Sequence, residues 1–410
     1  MSAGFADLRL AVISPFVDRR HGTERCLAEQ LERFAGQPGA EIHLYAQRVE
    51  DLRDVIRYPA SGAGRIVWHH VPRLPGPHIL AYLWWFGANY LQRWWDGKTR
   101  GLQFDLTYSA GINAIDADAI SIHVLFSEFY RRVRPALTLH ESILRWPVIL
   151  HRRLYYRLIC WLERRLYPRE STALTAISQH TAACAAKFFQ RKDVGVIRYG
   201  VDTSAFQPSV CAARRVASRN LFRLLPSDFC LLLIGNDWRN KGLDTLLRTL
   251  ADCSEIPAQL LVVGSDQPGG FIERIRALGI DSKIRFLSPS ADVVQFYAAA
   301  DAYVAPSLED AYSLPILEAM ACGLPVIASV RAGASEILRD AENGLLLRDP
   351  EDARELAALL CKLYSNVALR EELGREAAQT AALETWDRNA ASTWEFLRAA
   401  HARKGGVPIE

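Results

Sequence analysis

The sequence predicts an α/β protein with two doubly wound domains, and three observations support this fold class. Short apolar runs alternate with longer helical patterns along the whole chain, which is typical of parallel sheets covered by helices on both faces. The chain has 410 residues, too many for one hydrophobic core and enough for two domains of ordinary size. A segment rich in Gly, Pro and Ser begins near residue 200 and indicates a linker.

Each apolar run predicts a strand, and each longer stretch with apolar residues at helical spacing predicts a helix. In the first half, strands are expected at 8–14, 41–47, 64–70, 105–110, 119–125 and 173–178. The helices between them are expected at 22–36, 78–97, 143–167 and 179–189. The second half repeats the alternation, with strands at 229–235, 258–265, 283–288, 302–307, 325–329 and 344–349. Its helices are expected at 241–251, 270–279, 291–299, 314–322, 333–339 and 351–365, and a long helical stretch at 352–402.

The composition disfavours several classes of protein. The eight cysteines are scattered, without a C-x-x-C pair or a His cluster at zinc spacing, which indicates reduced thiols of a cytosolic protein. No stretch reaches the roughly 18 uncharged apolar residues of a membrane-spanning helix, and the N-terminus lacks the features of a signal peptide. The net charge of +3 gives no indication of a nucleic-acid partner. We therefore expect a soluble, cytoplasmic protein.

Ligands of open α/β sheets bind at the carboxyl ends of the strands, so the strand-to-helix loops are the candidate sites. In the first loop, "SPFVDRRHGTERC", Gly22 would let the backbone approach an anion at the start of a helix, with Arg19, Arg20 and Arg25 nearby. The alternative is a glycine that only relieves a tight turn.

The second loop, "IGNDWRNKGLD", follows a strand that ends at Gly235 and places Arg239 and Lys241 at the start of the next helix. Two domains facing across a cleft would bring these cations opposite the first loop, where the two loops could clamp a diphosphate. Solvated surface side chains are the alternative for both cations.

The third loop, "PSLEDAYSLPILEAMACG", carries Glu309, Asp310 and Glu318. Ser313 can cap the helix that follows, and Pro315 is acceptable in its first turn. Asp310 should then lie in the loop and Glu318 on the helix, both within reach of one ligand. Alternatively, acids at this position serve only the helix dipole.

The third loop resembles the signature of family 4 glycosyltransferases, retaining enzymes of the GT-B fold, in which an acid, seven residues and a glutamate precede an A-x-x-G-x-P-V segment. The resemblance covers most of the chain. "IRYGVDTSAF" resembles the interdomain element of the family, "DWRNKGLDTLL" its lysine loop, "VQFYAAADAYVAPS" the strand before the acidic motif, and "RAGASEILRDAENGLLL" the stretch after it. It implies two Rossmann-like domains facing across a cleft. An acceptor domain would contain 1–203 and a crossover helix in 386–410, and a nucleotide-sugar domain would contain 204–385.

The spacing identifies Asp310 as the first acid of the family pattern, because seven residues separate it from Glu318, whereas eight separate Glu309 from Glu318. Asp310 is one methylene shorter than the usual glutamate. The sequence also departs from the family at Ser313, where a glycine is typical, and at Asn236, where many members have an arginine.

The resemblance implies a role for each residue of these loops. Lys241 and Arg239 would stabilise the charge that grows on the diphosphate leaving group. Asp310 would bind hydroxyls of the transferred sugar and orient its anomeric carbon. Glu318 would hold the ribose of the nucleotide through its vicinal hydroxyls. The donor-binding residues implied are Gly22, Gly235, Ser313, Leu314 and Glu318. No metal or other cofactor is implied.

Two further candidates, Asp116 and His123, belong to the acceptor side, after the fourth strand and along the fifth. In relatives an Asp or a His fits at these positions, and either side chain could accept a hydrogen bond from the attacking hydroxyl or the donor sugar. His123 could equally be a core histidine. The D-A-D at 116–118 resembles the metal-binding D-x-D of the other glycosyltransferase fold, but no other ligand cluster supports a metal.

A basic, aromatic segment at 131–165 contains nine arginines and two glutamates, and tryptophan pairs stand at 84–85 and 94–95. Such a surface would bind anionic lipid headgroups, which predicts a peripheral position on the inner face of the cytoplasmic membrane. The alternative is that the helix packs its aromatic side chains in the core and solvates its arginines.

The function predicted is retaining, metal-independent transfer of a hexose from a nucleotide-diphospho-sugar to an acceptor of the bacterial envelope. A UDP-sugar is favoured over GDP-mannose, and the acceptor would be lipid-linked or a polysaccharide, such as lipopolysaccharide core. A sugar-nucleotide epimerase on the same fold and a catalytically degenerate nucleotide-sugar-binding protein are the alternatives. A dinucleotide-dependent oxidoreductase is disfavoured, because no strand is followed by G-x-G-x-x-G.

Overall fold

Two units, each with its own parallel sheet, make up the chain. The computed structural model describes residues 8–20, 22–37, 39–52, 56, 64–134 and 146–405. Unit 1 contains Met1–Arg198 and Trp386–Glu410, and unit 2 contains Tyr199–Thr385. The boundary expected from the sequence, between 203 and 204, lies close to this division.

Unit 1 is built on a parallel sheet. Its strands in the described residues are β1 (Arg9–Ile13), β2 (Phe16–Val17), β3 (Glu41–Ala46), β4 (Arg48–Val49), β5 (Arg65–His70), β6 (Leu106–Ala110), β7 (Ala119–Ile122), β8 (Ala173–Ala176) and β9 (Gly195–Val196). The main sheet has the order β5-β3-β1-β6-β7-β8-β9, and β2 pairs with β4 beside it. The helices are α1 (Gly22–Ala35), α2 (His78–Arg100), α3 (Phe126–Val133), α4 (Trp146–Leu166) and α5 (Gln179–Phe189).

The central strand β1 shows why the apolar runs of the sequence are continuous. Leu10 and Val12 belong to one buried cluster, whereas Ala11 and Ile13 belong to another. Successive side chains of a strand point to opposite faces of the sheet, so a strand covered on both faces needs apolar residues at every position.

Unit 2 repeats this architecture with a six-stranded parallel sheet. Its strands are β10 (Phe229–Ile234), β11 (Ala258–Val263), β12 (Ile284–Leu287), β13 (Ala302–Ala305), β14 (Val326–Ser329) and β15 (Leu345–Leu347), in the order β12-β11-β10-β13-β14-β15. Its helices are α6 (Pro208–Leu221), α7 (Leu243–Asp252), α8 (Gly269–Ala277), α9 (Val294–Ala299), α10 (Leu314–Ala321), α11 (Ala353–Ser365) and α12 (Val367–Ala381).

The last helix, α13 (Trp386–Lys404), returns to unit 1 and packs on α1. The ring centroid of Trp394 lies 5.0 Å from that of Phe34. Gln30 Nε2 donates hydrogen bonds to Asn389 Oδ1 at 2.9 Å and to Thr393 Oγ1 at 3.0 Å. The crossover of the C-terminal helix predicted from the family resemblance is therefore confirmed.

The linker expected from about residue 200 is wrong in its second half, because α6 lies there. Pro208 stands in the first turn of α6, a position that needs no amide donor. Arg215 Nη1 donates to Ala300 O at 2.8 Å, and Arg219 Nη1 lies 3.1 Å from Asp301 Oδ2. These partners are about 80 residues away along the chain, so composition alone did not reveal a packed helix.

The other differences concern the ends of elements, the type of one helix, and the short elements β2, β4, β9 and α3, which were not predicted. The helical stretch expected at 352–402 is three helices, and Asn366 Oδ1 caps α12 by accepting from Leu369 N at 2.9 Å. The helix expected at 333–339 is a 3₁₀ helix, Gly333–Ile337. The strand expected at 119–125 ends at Ile122 and is followed by α3, which was not predicted. Residues 143–145 of the helix expected at 143–167 lie outside the described residues.

Candidate active site

The candidate donor site of unit 2 lies in the loops that follow β10 and β13. These neighbouring strands are parallel, and the chain leaves them toward opposite edges of the sheet, β10 toward β11 and β13 toward β14. Such a topological switch point leaves a crevice at the carboxyl ends of the two strands, where ligands of open α/β sheets bind. We name residues 235–242 the lysine loop and residues 306–313 the acidic loop.

Glycines shape the lysine loop. Gly235 has a φ of +143°, and a Cβ built on it would lie 2.7 Å from Cε of Lys241. The lysine side chain therefore folds back across the end of β10 over a residue without a side chain. Gly242 has a φ of +77°, and its Cβ would lie 1.9 Å from Pro306 O. The backbones of the two loops approach each other closely because only glycine fits there.

An ion pair joins the two loops, since Lys241 Nζ contacts Asp310 Oδ2. Both side chains are only 15% exposed. The other carboxylate oxygen, Oδ1, accepts from Tyr312 N at 3.3 Å. Asp310, the acid that the spacing selected, is thus the direct partner of the candidate lysine.

Asn240 also connects the two loops and was not singled out from the sequence. Its side-chain Nδ2 donates to the backbone O of Glu309 at 2.6 Å, and its backbone carbonyl oxygen accepts from Leu308 N at 2.7 Å. These two bonds set the spacing of the loops next to the ion pair. The neighbouring Arg239 is exposed and has no ion pair among the described residues, so it remains available to a ligand.

The helix that follows the acidic loop carries Glu318 as predicted. Glu318 is buried, and its Oε2 accepts from Tyr297 Oη at 2.7 Å. Burial, together with this carboxylate, raises the pKa of Tyr297 well above its usual value, so the phenol stays a hydrogen-bond donor. Tyr297, on α9, is a second residue that the motif did not reveal.

Ser313 was expected to cap this helix, but its side chain does not do so. It stands at the N-cap position, but its side chain makes no cap hydrogen bond, and its backbone is left-handed with φ 74°. A residue other than glycine pays a strain cost in this conformation. The loop therefore has the backbone shape for which glycine is suited, at the position where the family typically has one.

The corresponding crevice of unit 1 lies between the loops after β1 and β6. The sheet order places β1 beside β6, and β1 connects toward β3 whereas β6 connects toward β7. Gly22, at the first residue of α1, and Asp116 belong to these two loops, so the fold brings both predicted positions to one end of the sheet.

The three arginines expected to attract an anion near Gly22 have partners within unit 1. Arg19 Nη1 lies 2.9 Å from Glu29 Oε1, and Arg19 also pairs with Glu32. Arg20 Nη2 lies 3.9 Å from Glu50, and Arg25 lies over the Trp386 ring with 5.9 Å to its centroid. The positive charge beside Gly22 is therefore partly compensated.

Asp116 is held by Arg93, a residue that the sequence analysis did not identify. Arg93 donates two hydrogen bonds to the carboxylate, from Nη1 at 2.8 Å and Nη2 at 2.7 Å. His123 lies just after β7 rather than inside it and is buried. Burial lowers the pKa of His123 to about 4, so its imidazole is neutral near pH 7.

Two properties of the described residues concern metals and membranes. Within them, no group of three or more His, Cys, Asp or Glu side chains is placed to hold a metal ion. Among the helices the structure describes, none is both long and apolar enough to cross a bilayer.

Residues 228–366 match the family described as Glycosyl transferases group 1, and this segment contains both the lysine loop and the acidic loop. The chain carries a group 1 glycosyl transferase domain. The family resemblance noted from the acidic motif is confirmed at this level.

Two similar curated proteins are both named D-inositol 3-phosphate glycosyltransferase. A D-inositol 3-phosphate glycosyltransferase of Thermomonospora curvata is 35% identical over 210 residues, covering 47% of this chain and 48% of the relative. One from Salinispora arenicola is 31% identical over 229 residues, covering 52% of this chain and 51% of the relative. The chain thus spans about half the length of the curated relatives it matches.

Solved structures show the fold. The crystal structure of WaaG, a glycosyltransferase involved in lipopolysaccharide biosynthesis, is similar with a TM-score of 0.75 at 21% identity, covering 95% of this chain and 99% of that chain. The Anabaena protein HepE in complex with UDP and glucose is similar with a TM-score of 0.67 at 18% identity, covering 95% and 99%. The predicted GT-B fold class is confirmed.

Proposed function

We propose that the protein transfers a hexose from a nucleotide-diphospho-sugar to a lipid-linked or polysaccharide acceptor of the bacterial envelope, with retention of anomeric configuration and without a metal. The observation that carries the proposal is the meeting of the lysine loop and the acidic loop at the switch point of unit 2. A UDP-sugar is the first donor to test and GDP-mannose the second. A contact of 131–165 with an anionic membrane surface is a separate proposal, which vesicle binding tests.

The Lys241–Asp310 ion pair suggests how the site changes when the donor binds. Without a donor, the carboxylate of Asp310 holds the ammonium of Lys241 beside the end of β10. A diphosphate in the crevice would compete for the ammonium, and Arg239 is free to contribute a second cation. Lys241 would then stabilise the charge on the leaving diphosphate. Asp310, released, would orient hydroxyls of the sugar that is transferred.

The nucleotide would be held by Glu318 and by the backbone at the start of α10. Tyr297 fixes one oxygen of the Glu318 carboxylate, which orients the group for the vicinal hydroxyls of a ribose. The backbone N–H groups of Ser313 and Leu314 stand at the N-terminal end of α10, where a helix favours a phosphate. Gly235 contributes by leaving room for Lys241.

The acceptor would be bound by unit 1, with Gly22, Asp116 and His123 at or beside its switch point. Arg93 orients the carboxylate of Asp116 through two hydrogen bonds. The neutral imidazole of His123 is able to accept a hydrogen bond from a hydroxyl. D-inositol 3-phosphate, named for the curated relatives, and lipid-linked oligosaccharides are the acceptors to compare first.

Calorimetric titration with UDP, GDP and ADP in the presence of EDTA tests the donor class and the independence from metal. We expect UDP to bind selectively. Binding of none of the three nucleotides would contradict the proposal and would favour a degenerate site.

Turnover of UDP-glucose tests the role of the lysine. Lys241→Ala should lower turnover by roughly 100-fold or more, as loss of one group that stabilises developing charge typically does. The matched control, Lys362→Ala, removes an exposed lysine of α11 and should leave turnover unchanged. Turnover of Lys241→Ala within a few-fold of wild type would refute this role. Consumption of the nucleotide-sugar to an epimer without any acceptor would identify an epimerase instead.

A further inference from the structure

The outward faces of α2 and α4 carry about half of the exposed large apolar side chains of the described residues. All five exposed tryptophans of the described residues lie on these two helices. On α2 the exposed large apolar side chains are Leu80, Leu83, Trp84, Tyr90, Leu91, Trp94 and Trp95. On α4 they are Trp146, Val148, Leu150, Leu154 and Trp161. A concentration of this kind marks an interaction site, since exposed apolar residues on monomers are usually scattered.

The exposed charges on these helices are all basic. The only acids in their sequences, Asp96 on α2 and Glu163 on α4, are buried. Asp96 Oδ2 accepts from Tyr45 Oη at 2.9 Å, and Glu163 accepts from the backbone N–H groups of Phe126 and Ser127. The exposed basic residues are Lys98, Arg100, Arg152, Arg157, Arg164 and Arg165. Aromatic and aliphatic side chains among cations complement an anionic lipid surface, whereas a second copy of this chain would bring like charges together.

The two helices are neighbours, so their exposed faces belong to one region of unit 1. The ring centroids of Tyr82 and Tyr155 are 5.6 Å apart, and those of His78 and His151 are 6.4 Å apart. From the sequence, the membrane surface was expected at 131–165 and at the tryptophan pairs 84–85 and 94–95, and residues 135–145 lie outside the described residues. Trp84, Trp94 and Trp95 are exposed on α2, whereas Trp85 is buried and does not belong to this surface.

The inner face of α2 holds the loop that carries Asp116. Tyr82 Oη donates to Ile112 O at 2.8 Å, and Trp85 Nε1 donates to Asn113 O at 2.9 Å. Arg93, in the second-last turn of α2, binds the Asp116 carboxylate through both terminal nitrogens. One helix therefore joins the exposed aromatic surface to loop 111–118 through three side chains.

We infer that the outer faces of α2 and α4 form one docking surface for an anionic lipid bilayer, and that α2 thereby holds loop 111–118 at the membrane. The docking surface stands independently, and only its use in presenting a lipid-linked acceptor to Asp116 rests on the proposed function. The aromatic side chains enter the interface, and the arginines contact phosphate headgroups.

Co-sedimentation with vesicles tests the docking surface. We expect wild type to bind phosphatidylcholine vesicles that contain one third phosphatidylglycerol, and to bind pure phosphatidylcholine much less. The variant Leu91→Ser/Trp94→Ser/Trp95→Ser should lose at least about 10-fold in partition, as should Arg157→Ala/Arg164→Ala/Arg165→Ala. The matched control, Val216→Ser/Leu221→Ser/Leu225→Ser, removes three exposed apolar side chains of unit 2 and should bind as wild type does.

Equal partition of wild type and the α2 variant, or equal loss in the unit 2 control, would overturn the docking surface. So would analytical ultracentrifugation that showed a wild-type dimer abolished by the α2 variant. Calorimetry with UDP on the same proteins separates the two proposals. Vesicle binding without UDP binding would refute the proposed function alone, and UDP binding without vesicle binding would refute the docking alone.

Hydrogen exchange tests the connection to the loop. Amides of 111–118 should exchange at least about threefold more slowly when wild type is bound to the anionic vesicles. In Arg93→Met, which retains the exposed face of α2, vesicle binding should persist while this added protection is lost. Unchanged exchange of 111–118 in vesicle-bound wild type would overturn the connection.

Discussion

Removing the charges of Lys241 and Asp310 singly and together would measure the coupling free energy of the ion pair on which the candidate donor site depends. Asp310→Asn keeps the shape of the side chain and an oxygen for Tyr312 N, and Lys241→Met keeps most of the apolar stem. Each single variant leaves one charge without its partner. Both side chains are 15% exposed, so removing one partner should lower the free energy of unfolding by less than the roughly 3–5 kcal/mol found for a fully buried pair.

We expect each single variant to lower the free energy of unfolding by about 2 kcal/mol and the double variant by about 1 kcal/mol. The coupling energy of the cycle is then about 3 kcal/mol, because two losses of about 2 exceed the joint loss of about 1 by that amount. Urea unfolding of the full chain provides the free energies, and a single loss should lower Tm by roughly 4–8 °C.

The exposed pair Arg214–Asp292 is the matched control within unit 2, with side chains 48% and 54% exposed and an N–O distance of 2.8 Å. The cycle Arg214→Met and Asp292→Asn should show coupling below about 1 kcal/mol, because water screens such pairs. A Lys241–Asp310 coupling as small as that of the control would refute the conclusion that the two loops are joined by a buried ion pair.

Three further outcomes are expected. Gly235→Ala should weaken UDP binding at least about 10-fold, because its Cβ would lie 2.7 Å from Lys241 Cε. The control Gly279→Ala, at φ +66° with open space around it, should lower stability without changing UDP affinity. Equal UDP affinities of the two variants in calorimetry would contradict this. Ser313→Gly should raise the free energy of unfolding by roughly 0.5–1 kcal/mol by relieving the strain at φ 74°, and a loss in urea unfolding would show that the serine is preferred. His123 contributes stability above its unfolded pKa of about 6.5, and this stability is lost as the pH falls toward its folded pKa of about 4. His123→Gln should therefore reduce the change in free energy of unfolding between pH 6.5 and pH 4 by up to roughly 3 kcal/mol. The same pH dependence in both proteins would exclude a buried neutral imidazole.

The acidic motif shows how far spacing alone leads. Seven intervening residues select Asp310 over Glu309 as the partner of Glu318, and the structure places Asp310 in the loop and Glu318 on α10. Ser313 does not form the expected cap because its backbone is left-handed, whereas an N-cap residue typically has an extended backbone. Whether these residues perform the roles implied by the family stays a prediction.

Partners that are distant in sequence account for most of what was missed. Arg93 and Asp116 come together because α2 packs on the loop that follows β6, and nothing in the α2 sequence distinguishes this arginine from its exposed neighbours. Tyr297 reaches Glu318 for a similar reason, since α9 and α10 pack on the same sheet. Asn240 offered a signal, because it immediately precedes the candidate lysine.

The sequence by itself determined the fold class, the order of most strands and helices apart from elements such as α3 and α6, and the loops that follow β1, β6, β10 and β13. Burial on both faces of a parallel sheet requires continuous apolar runs, which the local pattern records directly. Only the tertiary structure decided which loops become neighbours and which charges neutralise each other. Sheet order sets both switch points, and it depends on which strands pair rather than on any local run of residues. The same holds for the exposed face of α2, because periodicity shows that a helix has two faces but packing decides which one remains uncovered.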